Sequence, residues 1–321
     1  MQYVAFDSHK KYTLASVEEV SQKGVIAESR INHQKGAIKE FLLGFDKGSS
    51  VAVETIGNWY WIVDEIEEAG MIAKLVHARR AKLMMANGNK TDKLDARGIN
   101  RLQRNDVLPS VWIPPQELRD KRDLPRTRMM FSEHRARLKN RIHSVLAKYA
   151  LSVEDCSDVF GIRGRLALME KIESLPEHTR YATELLLDQL ETIEKQIKDI
   201  EAHMKESFLE NEELKLLMSI PGVGFILGSV IWLEGGDVER FAGPAQLASY
   251  SGTVPRMNAS GDKYRMGGLR SDVNRYLKWA YVEAAHSIAL HAKTHPQRHA
   301  SQLFKRIQQR KGYQKAIGAV A

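Results

Sequence analysis

The chain reads as α/β over its N-terminal third and as mainly helical beyond it, on three observations. Short apolar runs rich in β-branched residues, separated by polar turns, open the sequence. These runs then alternate with amphipathic segments of helical length, the pattern of a layered sheet with crossover helices. From Arg128 onward, apolar residues recur instead at spacings of three and four. At 321 residues there is room for two domains with real cores.

Gln2–Ser8, Thr13–Glu19 and Gly24–Ile31 are expected as three short strands of a meander. A helical segment follows around Ile38, Phe41 and Leu42, then an apolar strand, Ser50–Thr55. A helix starting at Asn58 places Trp59, Ile62, Val63 and Ile66 on one face and stops at Gly70. Ile72–Val76 is a fifth strand, and helices begin at Arg79 and Thr91. In this βββ-α-β-α-β-α order the first and fourth strands can lie side by side at the sheet centre. Residues 1–104 are therefore expected as the first domain.

Pro109, Pro114, Pro115 and Pro125 interrupt helix formation and mark residues 105–127 as a connector. Arg128–Tyr149 is a strongly basic helix: Leu138, Ile142, Val145 and Leu146 pack, and Arg135, Lys139 and Arg141 are free to lie along phosphates. Leu186, Leu190, Ile193, Ile197, Ile200 and Met204 form an a/d seam suited to helix pairing. Pairing between copies is favoured, with Ala167–Ile172 of the same chain as the other candidate. Residues 128–215 thus read as a helical spacer and 216–321 as a last domain. That domain opens at Ser219-Ile220-Pro221-Gly222-Val223-Gly224. A turn of this kind before a helix exposes N–H groups that can bind phosphate through Gly222 and Gly224, or simply joins two helices.

Composition narrows the class. No apolar run approaches the length of a membrane span, and Met1-Gln2-Tyr3-Val4 leads straight into a strand. The lone Cys156 excludes an internal disulfide and a cysteine-built zinc site, so a cytoplasmic protein is expected. Net charge is +8, unevenly spread. Residues 71–150 hold nineteen Lys/Arg against seven Asp/Glu, and 256–321 hold thirteen against three. Residues 170–216 reverse the sign, with thirteen acidic against six basic. Two basic blocks around an acidic spacer suggest two surfaces for a polyanion.

The chemistry centres on acids. With Thr91 as N-cap, Asp92 and Asp95 sit one turn apart on one helix face. Two carboxylates so close repel unless a cation lies between them, and hard oxygen donors suit Mg²⁺. Stabilisation of the helix N-terminus is the plainer account of the pair. Asp7 closes the first strand and Glu54 the fourth, so all four acids can meet at one sheet edge. Such a tetrad can hold two divalent ions that clamp the attacking and leaving oxygens of a phosphodiester.

Three of these stretches, Phe6-Asp7-Ser8-His9-Lys10, Val53-Glu54-Thr55-Ile56-Gly57-Asn58-Trp59-Tyr60-Trp61 and Lys90-Thr91-Asp92-Lys93-Leu94-Asp95-Ala96, carry a resemblance. They are similar to the motifs of the DEDD transposases of bacterial insertion sequences, relatives of the Piv-type DNA invertases. The resemblance implies an RNase H-like N-terminal domain close to the junction resolvase RuvC, with Asp7, Glu54, Asp92 and Asp95 as its Mg²⁺-binding tetrad. Tyr250-Ser251-Gly252-Thr253-Val254-Pro255-Arg256 and Asn258-Ala259-Ser260-Gly261-Asp262-Lys263 resemble the C-terminal transposase domain of the same family. By that alignment Ser260 is the nucleophile, ranked above Ser251. A serine beside Gly261 can expose its hydroxyl on a tight turn, and Arg256, Lys263 and Arg265 are near enough in sequence to neutralise a phosphorane.

The resemblance also implies one composite site from two domains and a coiled coil that holds protomers together. Its further implications are donor and target DNA, an element-encoded bridge RNA, and a dimer that becomes a tetramer in the synaptic complex. It places the protein in the bacterial cytoplasm. At Ser271-Asp272-Val273-Asn274 the chain departs from the family's Gly-Asn pair, and Asn274 is the candidate to keep its role. The end, Lys311–Ala321, reads as a helix the family normally continues. The rival readings are a metal-dependent, structure-selective nuclease and a non-catalytic nucleic-acid scaffold.

Overall fold

The computed structural model describes residues 2–19, 24–85, 92–153, 156, 158–261 and 263–321, with side chains for all of these except Asp92 and Lys93. The chain divides into two compact units, Met1–Gln116 and Glu117–Ala321.

The first unit is built on a six-stranded sheet. Its elements are β1 (Gln2–Ser8), β2 (Tyr12–Glu19), β3 (Val25–Asn32), α1 (Ala37–Leu42), β4 (Ser50–Glu54), α2 (Trp59–Glu68), β5 (Ile72–Val76), α3 (Ala78–Met85), α4 (Asp92–Arg104) and β6 (Ser110–Val111). Spatial order is β3-β2-β1-β4-β5-β6. β1 to β3 are antiparallel, β1, β4 and β5 are parallel, and β6 returns antiparallel to β5. The first and fourth strands are thus neighbours at the centre, as the order of elements predicts.

Both faces of these strands are covered, so their apolar runs are continuous. Val4, Phe6, Val51, Val53 and Leu75 pack with Ile38, Leu42, Ile62, Val63 and Ile66 of α1 and α2. Ala5, Ala52 and Val76 face the other way, onto Ala81 of α3 and Ile99 and Leu102 of α4. The Glu65 carboxylate, buried on α2, accepts from the N–H groups of Gly36, Ile38 and Lys39 and so closes the start of α1.

The second unit is mainly helical. It comprises α5 (Gln116–Lys148), α6 (Ile162–Glu173), α7 (Glu177–Phe208), α8 (Glu212–Met218), α9 (Phe225–Gly235), α10 (Pro244–Ser251), a hairpin of β7 (Pro255–Ser260) and β8 (Lys263–Leu269), α11 (Arg275–Leu290), α12 (His299–Lys311) and α13 (Tyr313–Val320).

The structure departs from two expectations. The connector expected over 105–127 holds the short strand β6, and α5 then begins at Gln116 and runs unbroken through Pro125. A proline inside a helix costs roughly 3 kcal/mol through a missing hydrogen bond and a ring clash. Tertiary packing offsets that cost: Pro125 is buried, and Arg122, one turn earlier, donates to the carbonyls of Leu233 and Glu234 at the end of α9. Pro114 and Pro115 lie just before the first turn, where a missing N–H is tolerated.

The second correction concerns the seam of α7. Leu190, Ile193, Ile197 and Met204 are buried within the single chain. Leu190 packs with Ile142, Val145 and Leu146 of α5 and with Leu168 and Ile172 of α6, and Met204 packs with Phe208, Leu214 and Leu233. Seam residues are thus covered by helices of the same chain, α6 among them, which is the other candidate the spacing left open. Heptad spacing states that a partner exists, not which chain supplies it.

Candidate functional site

Asp7 and Glu54 end adjacent parallel strands. Phe6 pairs with Val53, so the two acids are the next residues along. They alternate with Phe6 and Val53 and follow Ala5 and Ala52, which places both on the sheet face that α4 covers. Helix α4 runs back along β1: Gln103 donates to the Val4 carbonyl at 3.2 Å, accepts from Ser50 Oγ at 2.8 Å, and Asn100 donates to the Ser16 carbonyl at 2.8 Å. From Gln103 back to Asp95 is about 12 Å of helix, and from Val4 on to Asp7 is about 10 Å of strand. Asp95 therefore stands level with the strand ends, half-buried, on the stripe that continues through Ile99 and Leu102. Asp92 begins the same helix one turn earlier, and its side chain lies outside the described residues.

Three hard-oxygen donors on one edge and one face suit Mg²⁺ in their chemistry. Among the described residues, no three His, Cys, Asp or Glu side chains lie close enough together to hold a metal ion. His9 lies beside Asp7, with Nε2 at 3.5 Å from Oδ2.

Behind the edge lies a polar network that local sequence patterns do not show. Ser8 Oγ is 2.8 Å from Thr13 Oγ1, which is 2.8 Å from His33 Nε2. Asn58 Nδ2 donates to the His9 carbonyl at 3.0 Å and lies 3.4 Å from His33 Nδ1. His33 also meets the edge of Trp61, with ring centres 4.9 Å apart. The turn carrying Ser8 and His9 is thereby fastened to the segment after Glu54. His33 follows directly on β3, with no local signal to announce it.

Ser260 ends β7, exposed, at the turn of the β7–β8 hairpin. Gly261 follows with φ +57°, a left-handed conformation that glycine adopts without a Cβ clash. Ser260 pairs with Lys263 and Asn258 with Arg265, so these four share one face of the ribbon. Arg256 donates to Ser271 Oγ at 2.6 Å. Ser251, the other serine before a glycine, is buried, and its hydroxyl donates to the Ala248 carbonyl at 2.9 Å. It is spent on ending α10. Asn274 caps α11: its Oδ1 accepts from the N–H groups of Tyr276 and Leu277, and its Nδ2 donates to buried Glu234 at 2.7 Å.

Of the basic residues expected on phosphates, Arg141 is exposed and Arg135 half-buried. Lys139 is engaged, 3.2 Å from Glu194 and over the ring of Phe160. Arg126 forms a two-pronged pair with Glu234, at 2.6 and 3.0 Å, and Arg128 pairs with Glu201 at 2.7 Å. Gly222 has φ +87°, and a Cβ there would meet the Ala284 carbonyl at 2.7 Å, so close packing against α11 demands the glycine. Gly224 precedes α9 as its N-cap residue. Among the described residues no helix is long and apolar enough to cross a membrane.

Two segments of the chain match models of known protein families. Residues 4–151 match the model of the DEDD transposases of IS110 type, described as Transposase. Residues 214–301 match that of the Transposase IS116/IS110/IS902 family. A protein of Pseudomonas aeruginosa named "Probable family 20 transposase" is 24% identical over 246 residues, 74% of this chain and 70% of its own length. The transposase for insertion sequence element IS1111A of Coxiella burnetii is 25% identical over 252 residues, covering 78% of this chain and 69% of the relative. The transposase for insertion sequence element IS1328 of Yersinia enterocolitica is 23% identical over 241 residues, 73% and 69% of the two chains.

These matches define a transposase, an enzyme that cuts and rejoins DNA. The chain belongs to the DEDD transposases of bacterial insertion sequences.

Proposed function

We propose that this transposase recombines DNA through a phosphoserine link made by Ser260, with Mg²⁺ held by Asp7, Glu54, Asp92 and Asp95 in an RNase H-like domain. The observation that carries the reading is the contrast between the two serines. Ser251 is buried and hydrogen-bonded, whereas Ser260 is exposed on a ribbon face shared with Lys263 and Arg265. The placement of Asp7 and Glu54 on one face and edge, level with Asp95, supports the metal half.

In the chemical step the Ser260 Oγ–phosphorus bond forms and one phosphorus–sugar oxygen bond breaks. The serine proton is lost and the departing sugar oxygen gains one. The phosphodiester energy is kept in the new ester, so a sugar hydroxyl of another strand can attack it and restore Ser260 without ATP. Lys263 and Arg265 offset charge on the five-coordinate phosphorus. Bound Mg²⁺ would supply Lewis-acid stabilisation of the attacking and leaving oxygens.

Joining donor to target takes more than one serine, so the working unit is a homo-oligomer. An element-encoded bridge RNA is the proposed guide, and sequencing the RNA that co-purifies with the protein tests it. One defined noncoding species is expected; random host fragments would count against guidance.

The decisive experiment traps the covalent adduct on element-end DNA. Wild type is expected to form a protein–DNA link that maps to Ser260 and needs Mg²⁺. Ser260→Ala is expected to lose it, Ser251→Ala to keep it, and Asp7→Asn to lose it with thermal stability retained. Cleavage by Ser260→Ala without any adduct would instead favour a nuclease that uses water as nucleophile.

A further inference from the structure

The hairpin has a second face. Met257 pairs with Met266 and Ala259 with Tyr264, so these four side chains project opposite to Asn258, Ser260, Lys263 and Arg265. Met257 is 59% exposed, Tyr264 73% and Met266 69%. An isolated two-stranded ribbon is marginal in water, and this one bares its entire apolar face.

The charge on the ribbon selects the occupant. Between Pro255 and Leu269 the chain carries Arg256, Lys263 and Arg265 against the single acid Asp262. An aromatic and two thioethers backed by three cations is the composition of a surface that stacks bases while holding their phosphates. Tyrosine, methionine and arginine also populate protein interfaces, and it is the surplus of cations that selects a polyanion. Methionine also serves as an apolar wedge between base steps.

We propose that the apolar face of β7–β8 receives an unpaired base of the DNA strand being cut, stacked on Tyr264 and flanked by Met257 and Met266. The phosphate beside that base lies on the opposite face, at Ser260. A base inside a duplex has both of its π faces covered, so this contact requires a strand unpaired or unstacked at the cut, and that defines the substrate class. Tyr264 stands across the ribbon from Ala259, the residue next to Ser260. It is a positioning residue: it fixes which phosphodiester meets the hydroxyl. The inference rests on the proposed site of Ser260, and its test separates the two.

The full-length protein is mixed with single-stranded oligothymidylate carrying iodouracil, irradiated, and mapped by peptide mass. Crosslinks are expected at Tyr264, Met257 or Met266, in wild type and in Ser260→Ala alike. Tyr264→Ala is expected to weaken oligothymidylate binding about tenfold, and Tyr264→Trp to restore it. The same oligonucleotide paired with oligoadenylate is expected to bind these residues less. Unchanged binding by Tyr264→Ala, or crosslinks confined to other parts of the chain, would overturn the proposal. An adduct still trapped at Ser260 would then show that the nucleophile assignment stands without it.

Discussion

Ala5 and Ala52 are fully buried beneath α4. Their small side chains let the helix settle close to the sheet face that Asp7 and Glu54 share. A larger residue at either position would lift α4 away from the edge while leaving all four acids in the sequence. Glu234 plays a comparable part in the other unit. Fully buried, it accepts from Arg126 and from Asn274, whose own oxygen caps α11. Removing one partner of a buried ionic network costs about 3–5 kcal/mol. Glu234→Ala is accordingly expected to lower unfolding stability by that amount in a denaturant titration, and a decrease below about 1 kcal/mol would contradict the network's role. At this scale the strand-end positions of Asp7 and Glu54 were legible, because apolar runs end at both acids. His33 was not, since its partners Thr13 and Asn58 lie far from it in sequence and only folding brings them together.

Among the elements, the first five strands follow from their patterns, because apolar runs of that length bounded by polar turns leave few alternatives. Helix α5 does not. Pro125 argues against it locally, and what overrides that is the grip of Arg122 and Arg126 on the end of α9. The hairpin was readable in principle. Met257 to Met266 alternates apolar with polar around a Gly-Asp pair, yet two short strands in a helical neighbourhood give a weak signal. The seam of α7 is the clearest division: its spacing shows a buried stripe and is silent on the partner. Leu190→Ala is expected to cost about 2–5 kcal/mol of unfolding free energy, as for any fully buried leucine. Sedimentation should show an unchanged oligomeric state, because the side chain packs inside its own subunit. Dissociation of the assembly by this variant would restore the seam as a contact between copies.

For the whole molecule, charge distribution is the property that matters most to DNA. The basic excess from residue 71 to 150 runs from the first unit into the second, and that from 256 to 321 lies wholly in the second. Some of that charge is internal, as with Arg126 and Lys139, so the count overstates what phosphates can reach. Lys263 and Arg265 are exposed on the hairpin. Replacing both with glutamine is expected to reduce the slope of log affinity against log salt by about 2, roughly one for each phosphate no longer neutralised. An unchanged slope would remove both residues from the DNA surface.

The sequence by itself determined the alternation of strands and helices in the first unit, the family, and which residues are proposed for acid and hydroxyl chemistry. These are properties of local pattern and of motif, and neither requires knowing what packs on what. Only the tertiary structure decided that Asp7 and Glu54 share a face, that Ser251 is spent on a carbonyl while Ser260 is bare, and that the α7 seam closes on its own chain. Each of those turns on a contact between residues distant in sequence, where burial and pairing are settled by the fold as a whole and not by any one segment's preference.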